Sequence, residues 1–128
     1  MIKRIIIILP MFIALLVSGQ VIITTEESPL IKMAAKEIRR YTYLRTGKLL
    51  NFKYGIKKSD QAIVVGTHNA VAIREFTELR APKGGFFIKS IDFKYGKVIL
   101  ISGDTEVSTL YASYRFAEHL GCRFYLHG

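Results

Sequence analysis

Apolar side chains recur at distinct spacings along this chain, and each spacing predicts an element. Ile31, Ala34, Ala35, Ile38 and Tyr41 fall three and four residues apart, while Lys32, Lys36, Arg39 and Arg40 take the positions between them. That is the period of a helix with one buried face. Ser28 can cap the free N–H groups at its start, and Pro29 loses nothing at the first helical position. Gly47 ends it, after a last turn in which Arg45 suits the negative pole of the helix. The pattern therefore predicts an amphipathic helix over about 29–46.

Short apolar runs predict the strands. Val21 to Thr24, Leu49 to Tyr54, and Ala62 to Val65 closed by Gly66 are rich in β-branched and aromatic residues. Phe86 to Phe93 and Val98 to Ser102 make two more strands, joined by the tight connection Lys94-Tyr95-Gly96-Lys97. Asn69 is placed to cap a short helix on which Ile73, Phe76 and Leu79 share a face, ending before Pro82. Asp104 is placed to cap the last helix, whose predicted apolar stripe is Val107, Leu110, Tyr111, Tyr114 and Ala117, with Gly121 at its end. The order β-α-β-β-α-β-β-α, with a hairpin late in the chain, predicts an α+β domain. Its expected sheet is mixed and largely antiparallel, with four or five strands and two main helices packed on one face. The opposite face is then left to water or to another partner.

The first residues belong to a different pattern. Lys3 and Arg4 precede an apolar run from Ile5 to Val17, and Val17-Ser18-Gly19 offers the small side chains that a signal peptidase requires. Residues 1–19 are read as a signal peptide and 20–128 as one folded domain, secreted or periplasmic. The apolar run is shorter than the roughly 20 residues of a spanning helix and is interrupted by Pro10, so no stable membrane insertion is expected after cleavage. The one cysteine, Cys122, lies far from this run, which argues against a lipid anchor, and it has no partner for an internal disulfide. It reads as a buried, inert thiol.

Charge narrows the picture only a little. The formal net charge of +9 includes Lys3 and Arg4. The other basic residues are scattered, without the clustered basic and aromatic face of a nucleic-acid binder, and no nucleic-acid partner is expected. Candidate chemistry is equally sparse. Asp104 and Glu106 form a close acidic pair, but both fall at a helix start, where carboxylates favour the positive end of the dipole. A glycosidase would hold its two carboxylates apart across a cleft. His68, His119 and His127 show no metal-ligand spacing, and His119 three residues before Cys122 is poor grounds for a catalytic dyad. Gly84-Gly85 and Gly103 are turn glycines outside any phosphate-binding pattern. No catalytic, cofactor-binding or metal-binding residue is assigned, and no cofactor is expected.

Four segments taken together resemble one domain family. They are AAKEIRRYTYLRTGK (34–48), AIVVGT (62–67), GGFFIKSIDFKYGKVILISGD (84–104) and TLYASYRFAEHLGCRFY (109–125). In this order and spacing they are similar to the non-catalytic N-terminal domain of family 67 α-glucuronidases and the β-hexosaminidase domain 2 of family 20 enzymes. Ala112 stands where these relatives commonly have Gly, and Phe124 where they commonly have Trp. The resemblance spans roughly residues 21–126 and implies a four- or five-stranded sheet with two main helices. In the relatives the catalytic groups belong to a following (β/α)8 barrel, so no catalytic residue is carried over, and Gly128 falls where the first barrel strand is expected. The resemblance implies a non-catalytic accessory domain of a secreted glycoside hydrolase acting on polysaccharides or other glycans, with a catalytic barrel as its partner. The alternative is a free-standing carbohydrate-binding module that stacks sugar rings on Tyr41, Tyr43, Tyr54, Tyr95 or Phe124. Tyr111, Tyr114 and Phe116 on the last helix carry more aromatic area than one side facing a thin sheet needs, so part of it is expected to face outward, continued by Phe124, Tyr125 and Leu126.

Overall fold

The computed structural model describes residues 21–24, 27–54, 62–93 and 96–119. Five strands and three helices follow one another: β1 (Val21–Thr24), α1 (Pro29–Thr46), β2 (Asn51–Tyr54), β3 (Ala62–Thr67), α2 (Val71–Arg74), β4 (Phe86–Phe93), β5 (Gly96–Gly103) and α3 (Glu106–His119). The signal-peptide reading of residues 1–19, and the readings of Tyr95, Gly121, Cys122, Phe124 to Leu126 and His127, fall outside the described residues.

α1 forms as its sequence predicts. The Ser28 hydroxyl accepts hydrogen bonds from the N–H groups of Leu30 (3.2 Å) and Ile31 (3.4 Å), satisfying two of the donors a helix start leaves open. At the other end Gly47 takes a left-handed φ of 80°, and its N–H reaches the Tyr43 carbonyl at 2.8 Å. Ile31, Ala34, Ala35 and Ile38 are buried between these caps. Each fully buried isoleucine contributes about 1.5–3 kcal/mol relative to exposure.

The sheet has the order β2-β1-β3-β5-β4. It is mixed, as expected, but it is not largely antiparallel. β1 pairs in parallel with both β2 and β3, β3 pairs in parallel with β5, and the β4–β5 hairpin is the one antiparallel pairing. The hairpin carried the expectation because its turn is visible in the sequence. The parallel pairings are carried instead by strands that read as near-continuous apolar runs, such as Ala62-Ile63-Val64-Val65, which are buried on both faces. α1 is the crossover that returns the chain to place β2 beside β1 in parallel.

The two main helices lie on one face. Ile22, Ile63, Val65, Ile99 and Ile101 point from the strands toward Ala34, Ala35 and Ile38 of α1 and toward Ala112 and Phe116 of α3. The other face is covered too. Ile23, Val64, Phe87 and Leu100 pack against Ala72 and Ile73 of α2 and against Ala70 and Ala81, with Phe76 and Leu79 at the margin. The shared face expected of Ile73, Phe76 and Leu79 is present, although the helix itself ends at Arg74.

α3 turns a different side to the sheet from the one its hydrophobic pattern predicts. Ser108, Thr109, Ala112, Ser113, Phe116 and Ala117 are buried. Val107 is 48% and Tyr111 60% exposed, while Leu110 and Tyr114 are half-buried. Close approach decides this. A Cβ on Gly103 would stand 2.4 Å from the Thr109 nitrogen, so the helix touches the end of β5 and only small side chains fit beneath it. The Thr109 hydroxyl accepts from the Gly103 N–H at 3.0 Å and donates to the Thr105 carbonyl at 2.8 Å.

Both helix caps assigned to acidic or amide side chains are corrected as well. Thr105, not Asp104, caps α3: its hydroxyl accepts from the Ser108 N–H at 3.1 Å, and the Ser108 hydroxyl accepts from the Thr105 N–H at 2.9 Å. Ala70 occupies the cap position of α2, with no side-chain cap bond, because the Asn69 side chain is engaged by Arg80.

Candidate functional site

The chemistry-bearing side chains gather beyond the C-terminal ends of β3 and β5. The crossover leaving β1 carries α1 over one face toward β2, and the connection leaving β3 carries α2 over the other face toward β4 and β5. The two crossovers diverge at the boundary between β1 and β3, so β3 borders the switch point of the sheet. His68 follows β3, Asp104 follows β5, and the segment Arg80 to Gly85 runs past both before β4 begins.

His68 and Asp104 pin that segment down. The Ala81 N–H donates to His68 Nδ1 at 2.9 Å, so this nitrogen is the acceptor and the ring proton belongs on Nε2, which faces Asp104 Oδ1 at 3.5 Å. The other carboxylate oxygen, Oδ2, accepts from the Gly84 N–H at 2.9 Å. Gly84 has a φ of 71°, a left-handed conformation that glycine adopts without strain. Main-chain bonds from His68 N–H to the Gly103 carbonyl and from Asp104 N–H to the Gly85 carbonyl complete the tie. Burial pushes the His68 pKa down; Asp104 opposes this, and the charges of Arg80 and Arg74 reinforce it.

This arrangement holds structure and leaves no free base. Both ring nitrogens and both carboxylate oxygens already face partners, whereas a general base needs a nitrogen or oxygen aimed at a substrate proton. Glu106 is exposed in the first turn of α3, apart from this tie. His119 is exposed at the end of α3. Among the described residues no group of three His, Cys, Asp or Glu side chains is placed to hold a metal ion. Nor is any described helix long and apolar enough to cross a membrane.

Beside the pin lies an open groove of about 400 Å³, lined by Arg74, Glu78 and Arg80. Arg80 Nη1 donates to Asn69 Oδ1 at 2.6 Å, and Arg74 Nη2 donates to the Leu79 carbonyl. Sequence reading passed over these arginines because they are not adjacent. The turn after β3 and the descent toward β4 bring them together.

Of the aromatic residues considered as sugar platforms, Tyr41 and Tyr43 do not line up. Tyr41 is half-buried and Tyr43 exposed; two positions apart on α1, they point in directions about 200° apart around the axis. The Arg40 guanidinium sits 4.9 Å from the Tyr41 ring centroid and donates to its hydroxyl at 3.2 Å. The remaining exposed apolar side chains form other features, notably Val107 and Tyr111 on the outer side of α3.

No curated protein matches the sequence. Residues 17–116, a span that takes in all five strands and α3 as far as Phe116, match the family model described as the glycosyl hydrolase family 67 N-terminus. The chain belongs to that family, the N-terminal domain of family 67 glycosyl hydrolases.

Proposed function

We propose that this chain is a non-catalytic accessory domain of a secreted or periplasmic glycoside hydrolase of the α-glucuronidase type, and that it packs against a catalytic (β/α)8 barrel. Residues 1–19 serve as a cleaved signal peptide and residues 20–128 as the accessory domain. The observation that carries the reading is the outer side of α3. Val107 and Tyr111 are exposed there although the helix has an apolar pattern, and the side it buries is small and hydroxylated. An apolar helix side turned to water in a domain of this family fits a surface that a neighbouring domain covers.

The reading is tested by hydrophobic-dye binding and self-association of the purified chain, alone and after fusion to the catalytic domain of a family 67 enzyme. The expected result is dye binding and weak self-association alone, both suppressed by fusion. A chain that is monomeric and dye-silent alone contradicts the reading. Export is tested separately: N-terminal sequencing of the mature protein is expected to begin at Gln20, and recovery of intact Met1 in the membrane fraction opposes it.

A further inference from the structure

We infer that the turn joining α1 to β2 is a peripheral membrane contact, which dips Tyr43, Leu44 and Leu49 into an anionic lipid surface while Arg45 and Lys48 meet the headgroups. The first argument is what this turn exposes. Tyr43 is 50%, Leu44 62% and Leu49 64% exposed, and the exposed Arg45 and Lys48 lie between them in the sequence. Three large apolar side chains and two cations thus fall within one turn of chain. The turn also stands clear of its surroundings, since a Cβ on Gly47 would meet no atom within 4 Å.

The exposed side chains are held out by the fold. The Gly47 N–H donates to the Tyr43 carbonyl at 2.8 Å, and the Lys48 N–H donates to the Thr46 hydroxyl at 3.1 Å, which itself donates to the Thr42 carbonyl at 2.8 Å. Thr42 and Leu50 are buried on either side of the turn. The backbone is therefore fixed before any contact is made, which lowers the ordering cost of binding.

Charge selects the occupant. The sequence has no acidic residue between Glu37 and Asp60. Of the basic residues leading into the turn, Arg39 lies over the Phe52 ring at 4.2 Å and Arg40 meets Glu37 at 3.4 Å, so Arg45 and Lys48 are the cations the turn itself presents. Lysine is depleted at the cores of protein interfaces, whereas cations interleaved with apolar side chains suit a bilayer surface, where their stems lie along the apolar layer and their charges reach the headgroups. A second copy of the chain would bring Arg45 and Lys48 against like charges.

Position agrees with this occupant. Val21 pairs with both Asn51 and Ala62, so the turn lies at the end of the sheet where β1, β2 and β3 start. The chain enters β1 at Val21, so the apolar run Ile5 to Val17 is joined to the domain at the end that carries the turn. The tie of His68 and Asp104 lies at the opposite end, after β3 and β5. The contact is peripheral and spans nothing, and it uses no residue of the outer side of α3.

The test uses the full chain, which has no tryptophan of its own. Leu49→Trp places a fluorescent reporter on the turn and Tyr111→Trp places one on α3. Each is titrated with vesicles of phosphatidylglycerol and phosphatidylcholine, with vesicles of phosphatidylcholine alone, and with polyglutamate. Vesicles of phosphatidylcholine alone measure whatever residues 1–19 contribute. The Leu49→Trp emission is expected to shift to the blue with the anionic vesicles only, and the Tyr111→Trp emission to stay unshifted. Adding Arg45→Gln and Lys48→Gln is expected to weaken the shift about 25-fold in lipid concentration, about fivefold for each cation, with an unchanged unfolding midpoint because both positions are exposed. No shift with anionic vesicles overturns the inference, as does an equal shift at Tyr111→Trp or with phosphatidylcholine alone, or a shift unmoved by the charge changes. An equal shift with polyglutamate overturns the lipid assignment in favour of an acidic protein, and a shift that grows with protein concentration without vesicles overturns it in favour of a second copy. None of these outcomes bears on whether fusion to a catalytic domain covers α3.

Discussion

α1 and α3 lie on the same face of the sheet, yet they are held there by different physics. α1 buries Ile31, Ala34, Ala35 and Ile38, and its aliphatic pattern points at the sheet. α3 buries Ser108, Thr109, Ala112 and Ser113, with Phe116 as its one large fully buried side chain, and its aliphatic and aromatic pattern points partly at water. Area buried orients the first helix. For the second, the closeness of approach to Gly103 and the hydroxyl bonds at its first turn set the orientation. A helix fixed in this way keeps its apolar residues available for a second surface, so the difference between the two helices is where structure and function meet in this chain.

The largest effect expected from breaking that comparison is at Phe116. Truncation to Ala removes the main apolar anchor of α3 and is expected to cost about 3–5 kcal/mol in denaturant unfolding, whereas Ile38→Val on α1 removes a single methyl group among other buried apolar side chains and costs about 0.5–1.5 kcal/mol. The two glycines that serve these helices should differ in the same direction. Gly103→Ala places a Cβ against the main chain of α3 and is expected to cost about 1–3 kcal/mol, with backbone shifts at the start of the helix. Gly47→Ala meets no atom within 4 Å and pays only for its left-handed conformation, about 1 kcal/mol.

The smallest effect is the pH response of the tie between the ends of β3 and β5 and the segment that leads into β4. His68 is held below its ordinary pKa, so between that lowered value and 6.5 the unfolded chain binds more protons than the folded one. Stability is therefore complete above about pH 6.5, falls as pH drops through this window, and levels off below the native pKa. His68→Asn keeps an acceptor for the Ala81 N–H and is expected to flatten the response, as followed by thermal unfolding across pH.

These contrasts also explain what could be read in the sequence. α1 was legible to both its ends because the Ser28 cap, the Gly47 stop and the buried stripe are all local signals. The α+β class, the mixed sheet and the pair of helices on one face were legible from the order of elements. Strand direction was not, since the hairpin turn is visible locally while β1, β3 and β5 are brought together only by packing. The stripe of α3 was misplaced for a related reason: a contact between Gly103 and Thr109 leaves no trace in hydrophobic periodicity. The groove was missed because Arg74 and Arg80 acquire their partners from Leu79 and Asn69 through the fold of one loop.

The claim that the outer side of α3 meets a catalytic domain is tested most directly by affinity. Calorimetric titration of the chain with the isolated catalytic domain of a family 67 glycosyl hydrolase would be repeated with the Val107→Ser, Tyr111→Ser double variant. Both positions are exposed, and surface changes of this kind shift stability by about 0.5 kcal/mol or less each, so the unfolding midpoint should barely move. The account predicts an affinity reduced about tenfold or more by the double variant, and an affinity equal to that of the unaltered chain would contradict it.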